Sequence, residues 1–279
     1  MSTVGNSLKR LTYRPELLKP IQKLGLSSVL RRAYFLAVAP AGKVRISVAG
    51  VSGYFRVRDA SELRRIEGPT SSRSVSSSEM DSLRLLIRSV RPGDIVFDIG
   101  ANVGLYSILL AKAVGPTGRV FAFEPDKRNR TRLGENTRLN GLENIRVFPK
   151  ALGEGNYRAS LYVRNNDPCQ SSLAACQASG GQLEEIVDVV NGDGFRMERS
   201  LPVPRVVKID VEGYEHNVIK GLRHTLAEPA CHLVCCEIHP HLLKDTTPQE
   251  ILESLRSLGF TRVNVSQRGL VQYAVASKN

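Results

Sequence analysis

Asp94-Ile95-Val96-Phe97-Asp98-Ile99-Gly100-Ala101-Asn102-Val103-Gly104, a helical run, and then Gly118-Arg119-Val120-Phe121-Ala122-Phe123-Glu124 decide how this chain folds. Ile95, Val96, Phe97 and Ile99 make a short apolar run bounded by Pro92-Gly93 and Gly100, the pattern of a buried parallel strand. Leu105, Ile108, Leu109 and Val114 recur at helical spacing, and Gly115-Pro116-Thr117-Gly118 ends that helix. Arg119 to Phe123 reads as a second strand that ends on an acid, Glu124. Strand, glycine turn, helix, strand and terminal acid together form a nucleotide-binding βαβ unit.

The residues of the turn narrow the ligand. A pyrophosphate cofactor needs Gly-x-Gly-x-x-Gly, so that backbone and helix N-terminus can approach the phosphates. Here only Gly100 and Gly104 are present, position 102 is Asn, and Asp98 at the strand end would repel a diphosphate. A sulfonium cofactor carries positive charge, which a carboxylate favours, and Glu124 is placed to accept hydrogen bonds from a ribose. Asp98, Gly100, Ala101, Asn102, Gly104 and Glu124 are therefore the expected cofactor residues, and S-adenosylmethionine the expected cofactor. An NAD- or nucleotide-sugar-dependent oxidoreductase is the enzymatic alternative. A non-catalytic, membrane-surface adaptor on the same fold is the other.

A second stretch sharpens the reading. Val206-Val207-Lys208-Ile209-Asp210-Val211-Glu212-Gly213-Tyr214-Glu215, with Leu222 after Lys220-Gly221, closely resembles the signature of the FkbM family of methyltransferases. Asp98 to Gly104 with Tyr106-Ser107 resembles that family too, and the likeness runs from about Asp81 to Val275. It implies a Rossmann-like α/β fold with a seven-stranded sheet closed by a C-terminal antiparallel hairpin. It also implies methylation of an oxygen on a sugar, glycolipid or other natural-product acceptor. By the same resemblance Ala151 lies beside the adenine and Ser171-Ser172-Leu173 borders the active site. The first 80 residues lie outside it, so residues 1–78 are read as a basic extension and 79–279 as the methyltransferase domain.

With 279 residues and 42% apolar content, the chain can bury a sizeable core. No run reaches the length of a membrane-spanning helix and no signal-peptide pattern opens the chain, so a cytoplasmic location is expected. Five cysteines, unevenly spaced, do not make a disulfide framework. The net charge is +12, and residues 1–45 hold nine Lys or Arg against Glu16 alone, two-thirds of that surplus. This basic segment reads as a helix over Pro15 to Ala39, interrupted at Pro20, either packed on the main domain or touching anionic membrane. Nucleic acid finds little aromatic interleaving and no binding motif.

The remaining elements follow from pattern. Lys43 to Val48 and Gly53 to Val57 alternate as a hairpin, Thr70 to Ser78 is a Ser-rich loop, and Glu79 to Val90 a helix. A polar helix over Asp126 to Leu139 precedes a third strand at Ile145 to Phe148. Ala159 to Val163 is a strand, Asn165 to Leu173 a polar turn region, Gln182 to Val190 helix or strand, and Asn191 to Arg199 a loop. Arg205 to Asp210 is the fourth core strand, Tyr214 to Ala227 its helix, and His232 to Ile238 the fifth strand. Thr247 to Leu258 is an amphipathic helix, and Thr261 to Val265 with Val271 to Val275 the closing pair.

In an open α/β sheet, ligands sit outside the carboxyl ends of the strands, where Asp98, Glu124, Asp210 and Glu237 all fall. Lys208, Asp210 and Glu212 share strand parity. They read either as a salt-bridge cluster or as a site where Asp210 or Glu212 orients or deprotonates the acceptor hydroxyl, with Lys208 holding the ionised form. Glu237 and His239 share parity too, facing the acceptor, and His239 is the alternative base. Cys235 and Cys236 point to opposite faces and so cannot share one tetrahedral ion without a break. An ion on Asp210 remains an alternative, and no metal site is assigned.

Overall fold

The computed structural model describes residues 27–59, 62–63, 77–164, 167–173 and 181–279. The expected helix before position 27 and the Ser-rich loop up to position 76 lie outside the described residues.

The chain begins with helix α1 (Ser27–Val38) and a hairpin of β1 (Lys43–Val48) and β2 (Val51–Arg56). Helix α2 (Ser77–Ser89) then leads into β3 (Ile95–Ile99), α3 (Leu105–Val114), β4 (Arg119–Phe123), α4 (Lys127–Leu139) and β5 (Ile145–Phe148). Next come β6 (Ala151–Gly153), β7 (Tyr157–Arg164), β8 (Asp167–Ser172), β9 (Gly181–Asn191) and the short α5 (Gly192–Glu198). The C-terminal part runs β10 (Val206–Ile209), α6 (Glu215–Gly221), α7 (Arg223–Ala227), β11 (Leu233–Ile238), α8 (Pro248–Ser257), β12 (Arg262–Arg268) and β13 (Val271–Ser277).

Seven strands make one sheet in the order β12-β13-β11-β10-β3-β4-β5. Neighbours from β11 to β5 are parallel, and β13 alone runs against its neighbours β11 and β12. The order reverses between β3 and β10, so a crevice opens at their carboxyl ends. This is the expected Rossmann-like methyltransferase sheet, with its terminal hairpin longer than the spacing suggested.

The central strands carry apolar residues toward both faces. Val96, Val120, Val206 and Cys235 pack with α2, α3 and the β1–β2 hairpin. Phe97, Phe121, Phe123, Val207, Ile209 and Cys236 pack on the other side with Phe148 and Phe195. The phenylalanine rings meet edge-on or stacked, with centroids 5.1 to 6.2 Å apart. Each contributes on the order of 1.5–3 kcal/mol by burial. Helix α3 is buried nearly all round, as its sequence LYSILLAKAV demands, because the hairpin covers its outer side. Gly53 permits that approach: a Cβ there would stand 2.9 Å from Ile108 Cγ2. Asn136 of α4 and Asn140, which caps it, then accept hydrogen bonds from the backbone N–H groups of Arg56 and Tyr54, both at 2.9 Å.

Three local expectations are corrected and one left open is decided. Asn165 to Leu173, read as a turn region, contains β8, which pairs with β7 at the end of a second sheet ordered β6-β9-β7-β8. The undecided Gln182 to Val190 is the long strand β9 of that sheet. Asn191 to Arg199 is not a loop but α5, with Asn191 capping it through a 2.8 Å bond from the Gly194 N–H. The single helix expected over Tyr214 to Ala227 is two, parted at Leu222, where Gly221 lies so close to Gly153 that a Cβ would meet its carbonyl oxygen at 1.8 Å. No helix among the described residues is long and apolar enough to cross a membrane.

Candidate active site

The parallel register places Asp98 of β3 directly beside Lys208 of β10. Asp98 is fully buried. Its Oδ2 accepts a 2.5 Å hydrogen bond from the Ser107 hydroxyl, while Oδ1 accepts none. The Lys208 ammonium stands 3.4 Å from that Oδ1 and 3.4 Å from Asp210 Oδ2, and donates at 2.7 Å to the Gly100 carbonyl. Burial alone would depress the lysine; the Asp210 and Asp98 carboxylates outweigh it and hold the ammonium above its ordinary range.

Gly100 makes this junction possible. Its φ is +76°, and a Cβ would lie 1.8 Å from the Asp210 carbonyl oxygen. The N–H groups of Gly100 and Ala101 both donate to Phe123 at the end of β4, so Ala101 packs the turn rather than offering a donor. Asn102 adopts a left-handed conformation without being glycine, at φ 52°. That turns its N–H toward Glu124 Oε2, at 2.7 Å, while Glu124 Oε1 accepts from the Asp126 N–H at 2.9 Å. Burial nevertheless pushes Glu124 up to about 7, against those two hydrogen bonds. Each carboxylate oxygen keeps a second lone pair for a further donor.

Beyond Ile209 the strand ends, and the shared parity of Lys208, Asp210 and Glu212 ends with it. Glu212 takes a left-handed φ of 54° and faces His239, with 3.7 Å between Oε2 and Nε2. Lys208 and Asp210 stay paired. His239 follows β11, and its Nε2 is 3.6 Å from Glu237 Oε1. Its Nδ1 meets Glu215 Oε1 at 2.8 Å. Burial opposes charge on this imidazole, but the Glu215 hydrogen bond and the Glu212 and Asp210 carboxylates hold it up at about 10. Glu237 also accepts a hydrogen bond from Tyr273 at 3.2 Å. Asp210, Glu212 and His239 each offer one potential metal-ligand atom, all within 4.8 Å of one another.

Beside the Gly100 turn lies a mainly apolar crevice walled by Phe123, Pro125, Ala151, Leu152, Leu161 and Tyr214. Ala151 forms part of that apolar wall. The Tyr214 hydroxyl bonds that of Tyr157, and burial with this contact raises the Tyr214 phenol above its ordinary range. The Ser172 hydroxyl, from the expected Ser-Ser-Leu border, donates to the Glu212 carbonyl and ties β8 to the site.

Sequence reasoning assigned no role to Ser107, Glu215 or Tyr214. Ser107 had a usable signal, since it stands inside an apolar helix, whereas Glu215 opens a polar one. Cys231, Cys235 and Cys236 are buried: Cys235 and Cys236 pack on opposite faces of β11, and burial raises the Cys235 and Cys231 thiols to about 12.

Residues 98–261, more than half of the chain, match the family model of the methyltransferase FkbM domain. A hexuronic acid methyltransferase, AglP, of Haloferax volcanii is 27% identical over 221 residues, covering 78% of this chain and 84% of its own. The 31-O-demethyl-FK506 methyltransferase FkbM of Streptomyces tacrolimicus is 27% identical over 202 residues, covering 62% of this chain and 75% of its own. Among solved structures, a methyltransferase FkbM of Methylobacillus flagellatus superposes with a TM-score of 0.49 at 15% identity. That match covers 98% of this chain and 57% of the longer one.

Proposed function

The chain belongs to the FkbM family of methyltransferases, and on that premise we propose that it uses S-adenosylmethionine to methylate a hydroxyl of a sugar, glycolipid or related natural product. The oxidoreductase reading falls away with that membership. The observation that carries the cofactor is the pair of buried strand-end acids, Asp98 and Glu124, flanking the Gly100–Gly104 turn. Asp98 Oδ1 is buried without a hydrogen bond, an acceptor that a cationic ligand would satisfy. Glu124 keeps lone pairs for two ribose hydroxyls, and Ala151 lines the apolar crevice beside the same turn. The hydroxyl acceptor is supported by the two curated relatives, one named for a hexuronic acid and the other for a 31-O-demethyl substrate.

When bound, S-adenosylmethionine supplies a methyl group on a sulfonium, whose departure leaves a neutral thioether. The protein's part is alignment and proton handling. Lys208 stands 3.4 Å from Asp210, and Asp210, part-exposed, orients the acceptor hydroxyl and takes its proton. His239, pulled up to about 10, already carries a proton at neutral pH and is fitted to hold charge rather than to accept a proton. The base role therefore falls to Asp210, with Glu212 beside it.

Asp98→Asn tests the cofactor site, because it keeps the acceptor for Ser107 and removes the charge. S-adenosylmethionine affinity by titration calorimetry should fall at least about tenfold, or about 1.4 kcal/mol. Unchanged affinity in that variant, or tight NAD binding by the wild type, would overturn the reading.

A further inference from the structure

A carboxylate is a weak base for an alcohol, so the site as proposed leaves most of the hydroxyl's acidity unexplained. The surroundings of His239 supply a second component. Resting on the hydroxyl-acceptor reading above, we propose that Asp210, Glu212 and His239 form a divalent-cation site at the ends of β10 and β11.

Three features carry it. Their ligand atoms lie within 4.8 Å of one another, and ligands placed about 2.1 Å from one ion stand up to roughly 4.2 Å apart, so only a small contraction is required. His239 is 3% exposed, and Nδ1 makes its one hydrogen bond. Its Nε2 makes none and aims into the carboxylates, whose nearest oxygens stand at 3.6 and 3.7 Å. The Nε2 of a buried side chain thus stands between two carboxylates.

Glu215 is the third feature. It is fully buried, accepts the Gly213 N–H at 2.8 Å, and keeps Oε2 without a partner. A carboxylate behind the far ring nitrogen is the outer contact that orients metal-ligating histidines, because it fixes Nδ1–H and leaves Nε2 as the ligand. Without an ion, the same surplus of negative charge draws a proton to that ring. Two carboxylates and one imidazole suit a cation between hard and borderline, such as Mn²⁺. Three protein ligands leave coordination positions for water or the acceptor oxygen, whose hydroxyl a bound cation would acidify.

The full-length chain, stripped with EDTA and titrated with Mn²⁺ by calorimetry and electron paramagnetic resonance, should bind one ion per chain. Glu212→Gln and His239→Ala should each weaken that binding at least about tenfold, and Glu215→Gln by about 10–100-fold as expected of an outer-shell contact. Glu212 is part-exposed, so its variant remains informative should the buried His239 and Glu215 variants fail to fold. No saturable Mn²⁺ binding up to millimolar concentration, or binding that Glu212→Gln leaves unchanged, overturns the proposal. S-adenosylmethionine is titrated into the same samples: cofactor binding without Mn²⁺ binding sinks the cation site alone. Mn²⁺ binding without cofactor binding sinks the cofactor reading while the cation site stands.

Discussion

Glu124 makes the proposed cofactor site sensitive to pH. Burial raises its carboxyl from 4.5 to about 7, even though the Asn102 and Asp126 N–H groups favour the ionised form. Ionising it in the folded, ligand-free chain therefore costs about 3 kcal/mol more than in the unfolded one, at roughly 1.4 kcal/mol per unit. Between pH 4.5 and 7 the folded chain holds more protons than the unfolded chain. The stability this group contributes is thus complete below about 4.5 and lost as pH rises through about 7. Ribose hydroxyls donating to the carboxylate favour its charged form, so the sign reverses for binding. Cofactor affinity should rise with pH up to about 7, by as much as roughly tenfold per unit, and then level.

Calorimetric titration of S-adenosylmethionine at pH 6 and pH 8, each in two buffers of different ionisation heat, reads both quantities. At pH 6 up to one proton should be released per cofactor bound, and at pH 8 almost none from this group. Glu124→Gln should weaken binding and abolish that release, because its amide cannot ionise and must set an N–H₂ against one of the two backbone donors. Equal affinity at pH 6 and pH 8 in the wild type would refute the reasoning, as would an unaltered pH slope in Glu124→Gln.

Gly100→Ala should cost about 2–5 kcal/mol, combining a left-handed alanine with overlap against the Asp210 carbonyl. Thermal melting would show it, and wild-type melting would mean that β3 and β10 can part freely. Asp210→Asn should keep cofactor affinity while turnover falls ~10²–10⁴-fold; a variant that melts early but keeps its rate would make Asp210 scaffolding. We also propose that residues 1–45 touch anionic membrane. Deleting them should reduce co-sedimentation with anionic liposomes at low salt, and a full-length chain that ignores such liposomes would end that idea.

What could be read from the sequence divides along physical lines. The unit from Asp94 to Glu124 was legible because each signal is local: a β-branched run, glycines at the turn, a helical repeat and an acid at the strand end. The opposite packing of Cys235 and Cys236 follows from strand alternation alone. β8 was hidden because it is a polar strand at the end of a small sheet, with no apolar alternation to announce it. α5 was hidden by Gly192 and Gly194, although Asn191 and Asp193 carried the cap and first-turn signals that were passed over. Asp193 shows why a local pattern could not suffice: its carboxylate accepts the N–H groups of His224 and Thr225, joining α5 to α7 across about thirty residues.

The same limit explains the candidate site. Strand parity correctly paired Lys208 with Asp210, because β10 runs regularly as far as Ile209. It failed at Glu212, whose left-handed backbone turns the side chain away from Lys208 and toward His239. Glu215 reads locally as one more acid in the first turn of a helix. Only the fold returns His239 to it and leaves both side chains buried. A buried carboxylate survives where it has partners, and the Gly213 N–H and the His239 ring are the ones this chain provides. The residues proposed to recognise a cofactor are thus written along two strands. Those that would handle the acceptor's proton come from a third and a fourth strand, and sequence spacing alone does not bring them together.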